Sequence, residues 1–264
     1  MLVANYHTHT HLCRHADGTC LDYAKQAEKD GCLELGFSDH CPYPNDSKDN
    51  WQYCRMDFSE LGKYKAEVES ARQSVKFPVR FGFECEWDAD YRSWYEDVLL
   101  GEAGAEYLVF GPHWFTEGNS HLYIKEYFTD ANLNKYIDQM IVGMNSGLYA
   151  FVAHPDLFMA SGCEWNEQTK ACSKAILTAA KELNLPVEIN GYGIVKQKVF
   201  NAQGERFPYP VKEFWELAKD LGNTIICNSD AHSPEVVIKN NLGARAFAQE
   251  LGITLTDFIK LDKN

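Results

Sequence analysis

The chain has 264 residues, of which 45% are hydrophobic and 24% charged, and its formal net charge is −13. This composition is typical of a folded globular protein, and a chain of this length buries a large core without disulfides. The acidic balance argues against a nucleic-acid surface, and no apolar run is long enough for a transmembrane helix. The N-terminus lacks the residue order of a signal peptide, so we expect a cytoplasmic protein.

Nine cysteines are present, and no two of them form a C-x-x-C pair. An odd count without that motif indicates free thiols in a reducing compartment. Cys13 and Cys41 lie next to or near histidines, but we expect both to be small residues that bind no metal.

Apolar, β-branched and aromatic runs recur along the chain and predict seven strands. These strands cover residues 2–7, 33–38, 79–84, 107–112, 149–154, 186–190 and 224–229. The segment 41–56 has turn residues and no period, and it is interpreted as a long loop over the carboxyl ends of the strands.

Segments with helical spacing separate the strands. They cover 19–31, 58–73, 90–103, 130–146, 167–184 and 209–222, and a further helix begins near Ser233. Thr19 and Asp57 are predicted N-caps, and Pro234 after Ser233 is typical of a first helical residue. Seven strand–helix units favour a single (β/α) barrel domain of the TIM type over residues 1–264. An open doubly wound sheet is the alternative, but no glycine-rich phosphate loop follows the first strand.

Histidine, carboxylate and amide side chains concentrate where the predicted strands end. The residues concerned are His7, His9, His15, His40, Glu84, Glu86, His113, His154, Glu188, Asn190, Asp230 and His232. The carboxyl ends of barrel strands meet at one rim, so we expect these side chains to form one site. His7 and His9 are two residues apart in an extended segment and would share one face, as a metal chelate requires.

Seven of these histidines, with Glu84 and Asp230, supply nine metal donors. One zinc site needs three or four donors, so nine donors fit two or three ions with a bridging carboxylate. Imidazole and carboxylate suit Zn²⁺, Mn²⁺ or Fe²⁺. Clustered divalent ions acidify water and stabilise charge on phosphoryl oxygens, so we expect hydrolysis of a phosphate ester. Amide or ring hydrolysis by a metal barrel is the alternative reaction.

The ordered motifs NYHTHTHLCRHADGT, GFSDHCPYP, FGFECEW, FGPHW, VAHPDLF, EIN and NSDAH resemble the PHP (polymerase and histidinol phosphatase) family, and within it the histidinol-phosphatase group. The resemblance implies a distorted seven-stranded (β/α) barrel, a trinuclear metal centre and a hydroxide between two ions as the nucleophile. It implies hydrolysis of L-histidinol phosphate to L-histidinol and phosphate in histidine biosynthesis. Another small phosphate ester, such as a sugar phosphate or a nucleotide, is the alternative substrate.

The resemblance also distributes the donors among three ions. The first set is His7, His9, Glu84 and Asp230; the second is His15, His40 and His232; the third is Glu84, His113 and His154. The residues expected to act in catalysis are His7, His9, His15, His40, Glu84, Asp230 and His232. A regulatory protein that had lost activity would lack some of these donors, and every position is filled.

Phosphate is usually also bound by a guanidinium or ammonium group. The candidates are Arg14, Arg55, Lys198 and Arg206. Arg14 is favoured because proposed ligands flank it, and Arg206 because it follows the sixth strand. Glu188 and Asn190 are expected to bind the substrate, with hydrogen bonding inside the barrel as the alternative, and His11 to face substrate or solvent. The expected partner is a small phosphate ester, not nucleic acid or a membrane, and the sequence indicates no oligomeric state.

Overall fold

A computed structural model describes residues 3–44, 52–118 and 120–261. Within these ranges, seven parallel strands form one sheet in which the order in space follows the order along the chain. They are β1 (Val3–Asn5), β2 (Cys32–His40), β3 (Val79–Cys85), β4 (Tyr107–Phe110), β5 (Phe151–Val152), β6 (Val187–Asn190) and β7 (Ile225–Asn228). A parallel bridge between Thr8 and Ala231 brings the first and last strands together. The sheet is therefore a nearly closed barrel, and the predicted TIM-like fold is confirmed.

Helices pack around the barrel, and one short helix, Gly191–Val195, lies at its rim. They are α1 (Cys20–Asp30), α2 (Leu61–Ser74), α3 (Asp130–Met144), α4 (Glu167–Glu182), α5 (Gly191–Val195), α6 (Lys212–Leu221) and α7 (Lys239–Glu250). Thr19 caps α1 as predicted, and Asp57 caps a short 3-10 turn that leads into α2. Where an ordinary helix is predicted over 90–103, the structure has a π-helix, Trp94–Glu102. Ser233 makes no capping hydrogen bond.

The alternation of side chains along the strands separates two apolar layers. In β4, Leu108 and Phe110 pack outward against the helices, whereas Tyr107 and Val109 pack inward with residues of β1, β5 and β7. Inward positions near the carboxyl ends are polar instead, among them Glu84 in β3 and fully buried Glu188 in β6. The apolar interior therefore gives way to a polar rim at the end of the barrel where the strands finish.

Two antiparallel hairpins that the sequence analysis does not predict stand on the rim side. One pairs Trp114–Glu117 with Ser120–Tyr123, and the other pairs Val199–Asn201 with Gly204–Arg206. Residue 2 of the predicted first strand and residues 45–51 of the predicted loop lie outside the described residues. None of the helices in the described ranges has the length and apolarity needed to cross a bilayer.

Candidate metal centre

Glu84 lies at the centre of the predicted donor set. Its Oε1 atom is 3.4 Å from His7 Nε2 and 3.1 Å from His154 Nε2. Its Oε2 atom is 3.5 Å from His9 Nε2 and 3.0 Å from His40 Nδ1. His113 Nε2 is 3.7 Å from Oε1. One carboxylate from β3 therefore faces five imidazoles that come from the ends of four other strands.

Asp230, after β7, joins the same group. Its Oδ1 atom is 3.1 Å from His9 Nε2 and 3.6 Å from His7 Nε2, and the two Nε2 atoms are 3.2 Å apart. Asp230 and His154 have positive φ angles of 48° and 29°. Residues other than glycine rarely adopt this conformation and it costs free energy, so the backbone is strained where it presents these two side chains.

The other predicted donors form the outer side of the cluster. The ring of His15 lies 5.4 Å from that of His40 and 4.8 Å from that of His232, measured between centroids. His9 stands between the two groups, with its ring 4.4 Å from His40 and 4.5 Å from His232. The structure thus brings all nine predicted donors into one cluster.

The geometry of this cluster fits divalent metal ions. Two donors that are each about 2.1 Å from one tetrahedral ion lie about 3.4 Å apart, and most of the separations given above are close to that value. Within the described residues, His9 Nδ1, His154 Nδ1, Glu84 Oε2 and Asp230 Oδ1 are buried and have no aligned hydrogen-bond partner. Unpartnered buried polar atoms are costly, and a cation would satisfy the carboxylate oxygens. The residues present are therefore suited to bind divalent ions.

The charges of the cluster depend strongly on one another. Burial raises the pKa of Glu84, but the imidazoles of His113, His7 and His40 outweigh that effect and hold the pKa well below its usual range. Burial disfavours the charged form of His7, yet the carboxylates of Glu188, Asp230 and Glu84 raise its pKa. Burial and the neighbouring His9 lower the pKa of His232 to about 3. Neutral imidazole is the form of histidine that binds metal, and His232 has that form at neutral pH.

Glu188 and Asn190 point into this network and do not line the pocket. Glu188 Oε1 is 2.9 Å from His7 Nδ1, and its Oε2 accepts from the backbone N–H of His154 at 3.1 Å. Asn190 donates to Glu188 and to Asp230, and its side-chain oxygen caps α5. The expected contact of these two residues with the substrate is therefore replaced by hydrogen bonding inside the barrel.

A cavity of about 210 Å³ opens over the cluster. Beyond the donors, its lining includes Cys54, Arg55, Glu86, Trp114, Tyr123, Leu157, Tyr192, Lys196 and Tyr209. The Lys196 ammonium lies over the rings of Tyr192 and Tyr209, at 4.3 and 5.4 Å from their centroids. Tyr192 in turn stacks on His232, with ring centroids 4.7 Å apart. Lys196 thus places a cation beside the donors, at a position that the sequence analysis does not identify.

The two arginines favoured for phosphate binding have other partners. Arg14 is at the surface, with its side chain 42% exposed, and its guanidinium donates to Glu60. Arg206 donates to the backbone carbonyls of Phe207, Pro208, Met159 and Cys163. Neither guanidinium lines the cavity, because one binds a carboxylate of the next connection and the other ties two loops together. These two expectations are corrected accordingly.

Two further residues of the first loop do not line the cavity. His11 Nδ1 is 3.2 Å from the carbonyl oxygen of Gly18, and its Nε2 is 3.1 Å from Lys63 Nζ. Cys13 is buried, and its thiol sulfur lies within 4.8 Å of ligand atoms of His9 and His232. Burial raises the pKa of this thiol, so it is protonated at neutral pH in the absence of an ion. All nine cysteines lie in the described ranges and are free, as predicted.

Comparison with known proteins agrees with this site. Residues 5–191 match the family model described as the PHP domain. A curated protein of Deinococcus radiodurans, named "Probable histidinol-phosphatase", is 28% identical over 239 residues, covering 86% of this chain and 85% of the relative. The crystal structure of a histidinol phosphate phosphatase from Lactococcus lactis, complexed with zinc, L-histidinol and phosphate, superposes with a TM-score of 0.72 at 17% identity and covers the whole of both chains. The family model spans well over half of the sequence, and the chain therefore belongs to the PHP domain family.

Proposed function

We propose that this protein is a metal-dependent phosphomonoesterase that hydrolyses L-histidinol phosphate to L-histidinol and phosphate, and that residues 1–264 form one catalytic domain. The observation that supports it best is the convergence of six imidazoles and two carboxylates on a single cavity that Lys196 also lines. The Deinococcus radiodurans relative bears the name of this activity, and the Lactococcus lactis structure contains both of its products.

The donors are assigned to three divalent ions, which are zinc, manganese or iron. The first ion would be held by His7, His9, Glu84 and Asp230, the second by His15, His40 and His232, and the third by Glu84, His113 and His154. Bound there, such ions acidify water at neutral pH and stabilise the charge that develops on phosphoryl oxygens. The strained backbone at His154 and Asp230 holds donors from the ends of β5 and β7 in one group before substrate arrives.

The wall of the cavity assigns further roles to this chain's own residues. Lys196 is placed to bind a phosphoryl oxygen, since a charged donor strengthens a hydrogen bond to phosphate. The rings of Tyr123, Tyr209 and Trp114 offer apolar surface for the imidazole ring of the histidinol leaving group. A cavity of about 210 Å³ admits a small ester and excludes a polymer. The partner is therefore a small molecule.

One observation favours a second candidate substrate. The guanidinium of Arg55 lies 5.0 Å from the ring centroid of Tyr43 and 5.3 Å from that of Trp114, in the wall of the same cavity. A cation in that wall repels the protonated amine of histidinol and does not repel an uncharged leaving group. A sugar phosphate or a nucleotide, which releases a neutral alcohol, is the corresponding alternative.

The test is phosphate release by the full chain reconstituted with Zn²⁺ or Mn²⁺, from L-histidinol phosphate and from a panel of sugar phosphates, nucleotides and p-nitrophenyl phosphate. We expect a strong preference for L-histidinol phosphate, abolished by His40→Ala. The matched control is His11→Ala, which removes an imidazole of the same rim that faces away from the cavity. Preference for another ester would show that the protein is a phosphatase with a different substrate. No release from any ester, with metal bound, would exclude a phosphatase.

A further inference from the structure

The imidazoles of the centre differ in the group that contacts their Nδ1 atom. Two of them hydrogen-bond a carboxylate through the Nδ1 atom: His7 with Glu188 at 2.9 Å and His113 with Glu86 at 2.5 Å. Glu86 also accepts the backbone N–H of His113, and Glu188 accepts that of His154. These carboxylates are therefore fixed in place and are not solvated surface groups.

In the second proposed set, two imidazoles hydrogen-bond through Nδ1 to backbone carbonyls instead, and the Asp230 Oδ1 atom lies 3.5 Å from His232 Nδ1 without an aligned hydrogen bond. His15 Nδ1 donates to the carbonyl oxygen of Cys13 at 2.7 Å, and His232 Nδ1 donates to that of Asp230 at 3.0 Å. Both acceptors are backbone groups of the same short loops. His40 presents its Nδ1 atom to Glu84, so its support comes from a donor that the other two proposed sets share.

This difference changes the strength of the ligands. A carboxylate behind an imidazole makes the ring a better donor, and loss of such a partner commonly reduces metal affinity about 10- to 100-fold. A neutral carbonyl orients the ring without adding charge. Moreover, the first and third sets contain a carboxylate ligand, whereas His15, His40 and His232 are three neutral donors. Fewer charged ligands give a divalent cation a weaker site.

Burial separates the first set from the second. The side chains of His7 and His9 are 0% and 1% exposed. In the second set, His40 and His232 are each 12% exposed, and His15 is exposed at the rim. The third set is mixed, since His154 is 2% exposed and His113 is 23% exposed. Water therefore reaches the second set more readily than the first.

We propose that the position formed by His15, His40 and His232 holds a readily exchanged ion, whereas the two positions that contain a carboxylate ligand keep theirs. This inference rests on the three-ion assignment of the proposed function. Free metal concentration would then set how much of the enzyme is fully loaded, over a range in which the other two positions stay filled. The occupancy of the second position would thus follow the supply of metal.

The test is a titration of the metal-free full chain with Zn²⁺ in competition with a chromophoric chelator, with metal content measured after dialysis. We expect two equivalents to bind tightly and a third at least tenfold more weakly. His15→Ala removes only the weak equivalent, and the control His11→Ala keeps all three. Glu86→Gln, which retains side-chain shape, weakens one of the tight equivalents by tenfold or more, and it remains informative if His15→Ala fails to fold.

Three equivalents of equal affinity, or loss of a tight equivalent in His15→Ala, would overturn this proposal. Its outcome is separate from that of the proposed function, because the titration needs no substrate. Two tight equivalents and one weak equivalent in a protein that hydrolyses no ester would uphold the exchangeable position and reject the phosphatase. Active enzyme with three equal affinities would do the reverse.

Discussion

At the scale of single residues, Lys196 differs from the other basic side chains discussed above. Arg14 and Lys198 bind carboxylates at the surface, and Arg206 binds carbonyls, whereas the described contacts of Lys196 are aromatic rings at the cavity wall. Burial lowers the pKa of Lys196, and the negative charge of Asp230 opposes that change. A doubly negative phosphate that enters the cavity would therefore form a strong charge-assisted hydrogen bond with the Lys196 ammonium.

Lys196→Met should therefore weaken productive binding of the phosphate ester. A hydrogen bond to a charged group contributes about 1.5–3 kcal/mol, so we expect kcat/KM to fall by about 10- to 100-fold, mostly through KM. Steady-state kinetics of the metal-loaded protein measures this, and metal content should stay unchanged.

The matched control is Lys198→Met, two residues further along the chain. Lys198 pairs with Glu205 at 2.9 Å across the exposed hairpin, and its side chain is 47% exposed. Exposed ion pairs contribute little, so kinetics and stability should stay close to those of the unchanged protein. Equal kinetic losses in the two variants would show that the role of Lys196 is not specific.

At the scale of elements, one tyrosine explains why β2 and β3 carry glycine on their inward faces. Tyr107 of β4 crosses the barrel, and its hydroxyl lies 2.9 Å from the carbonyl oxygen of Tyr6 and 3.1 Å from that of Phe37. A Cβ atom at Gly36 would be 2.2 Å from the Tyr107 hydroxyl, and one at Gly82 would be 2.5 Å from its ring. Tyr107 therefore links β1 and β2 directly beneath the donors.

Gly82→Ala should destabilise the protein, because the added methyl group overlaps the ring of a fully packed residue. Overpacking of this kind costs about 1–3 kcal/mol, which we expect as a lower melting temperature in thermal unfolding. Gly62→Ala in α2 is the control, since a Cβ atom there meets nothing within 4 Å and alanine favours helix by about 1 kcal/mol. A melting temperature that is unchanged in Gly82→Ala would show that Tyr107 moves freely.

The barrel strands and their shared rim follow from sequence because they depend on local signals. Buried parallel strands are short apolar runs, and a polar residue at the end of each run lies at the rim whatever the length of the connections. The strand after residue 149 is predicted over 149–154 and observed only at Phe151–Val152, because the positive φ of His154 ends the extended segment. The donor cluster could thus be predicted without knowing where each strand stops.

The wall of the cavity could not be predicted in the same way, because it depends on contacts between distant segments. Arg14 binds Glu60, which is 46 residues away in sequence, and Arg206 binds carbonyls of the loop after β5. Lys196 reaches the cavity because Asn190 caps the one-turn helix α5 that precedes it. In the sequence, neither the charge nor the spacing of these three basic residues shows which of them lines the cavity. That depends on how the hairpin and the loops pack.

At the scale of the whole molecule, the chain closes the barrel at the end opposite the metal centre. The C-terminal segment after α7 returns to β7, where Thr256 donates to the carbonyl oxygen of Ile225 at 2.9 Å. Asp257 then pairs with Arg245 of α7 at 2.8 Å. Ile259 is 8% exposed and packs into the inner apolar cluster with residues of β1, β4, β5 and β7. The last described residues therefore complete the interior of the barrel.

Ile259→Asp should lower global stability because it places a charge in this apolar layer. Loss of a buried isoleucine side chain costs about 2–5 kcal/mol, which corresponds to a fall of roughly 5–15 °C in melting temperature for a protein of this size. Phe258→Asp is a matched control one residue earlier, where the side chain is 48% exposed and the same charge remains in water. If Ile259→Asp melts at the same temperature as Phe258→Asp, the segment is not part of the cooperative core. If only Ile259→Asp melts early, all seven strands depend on a segment that follows the last of them in the chain.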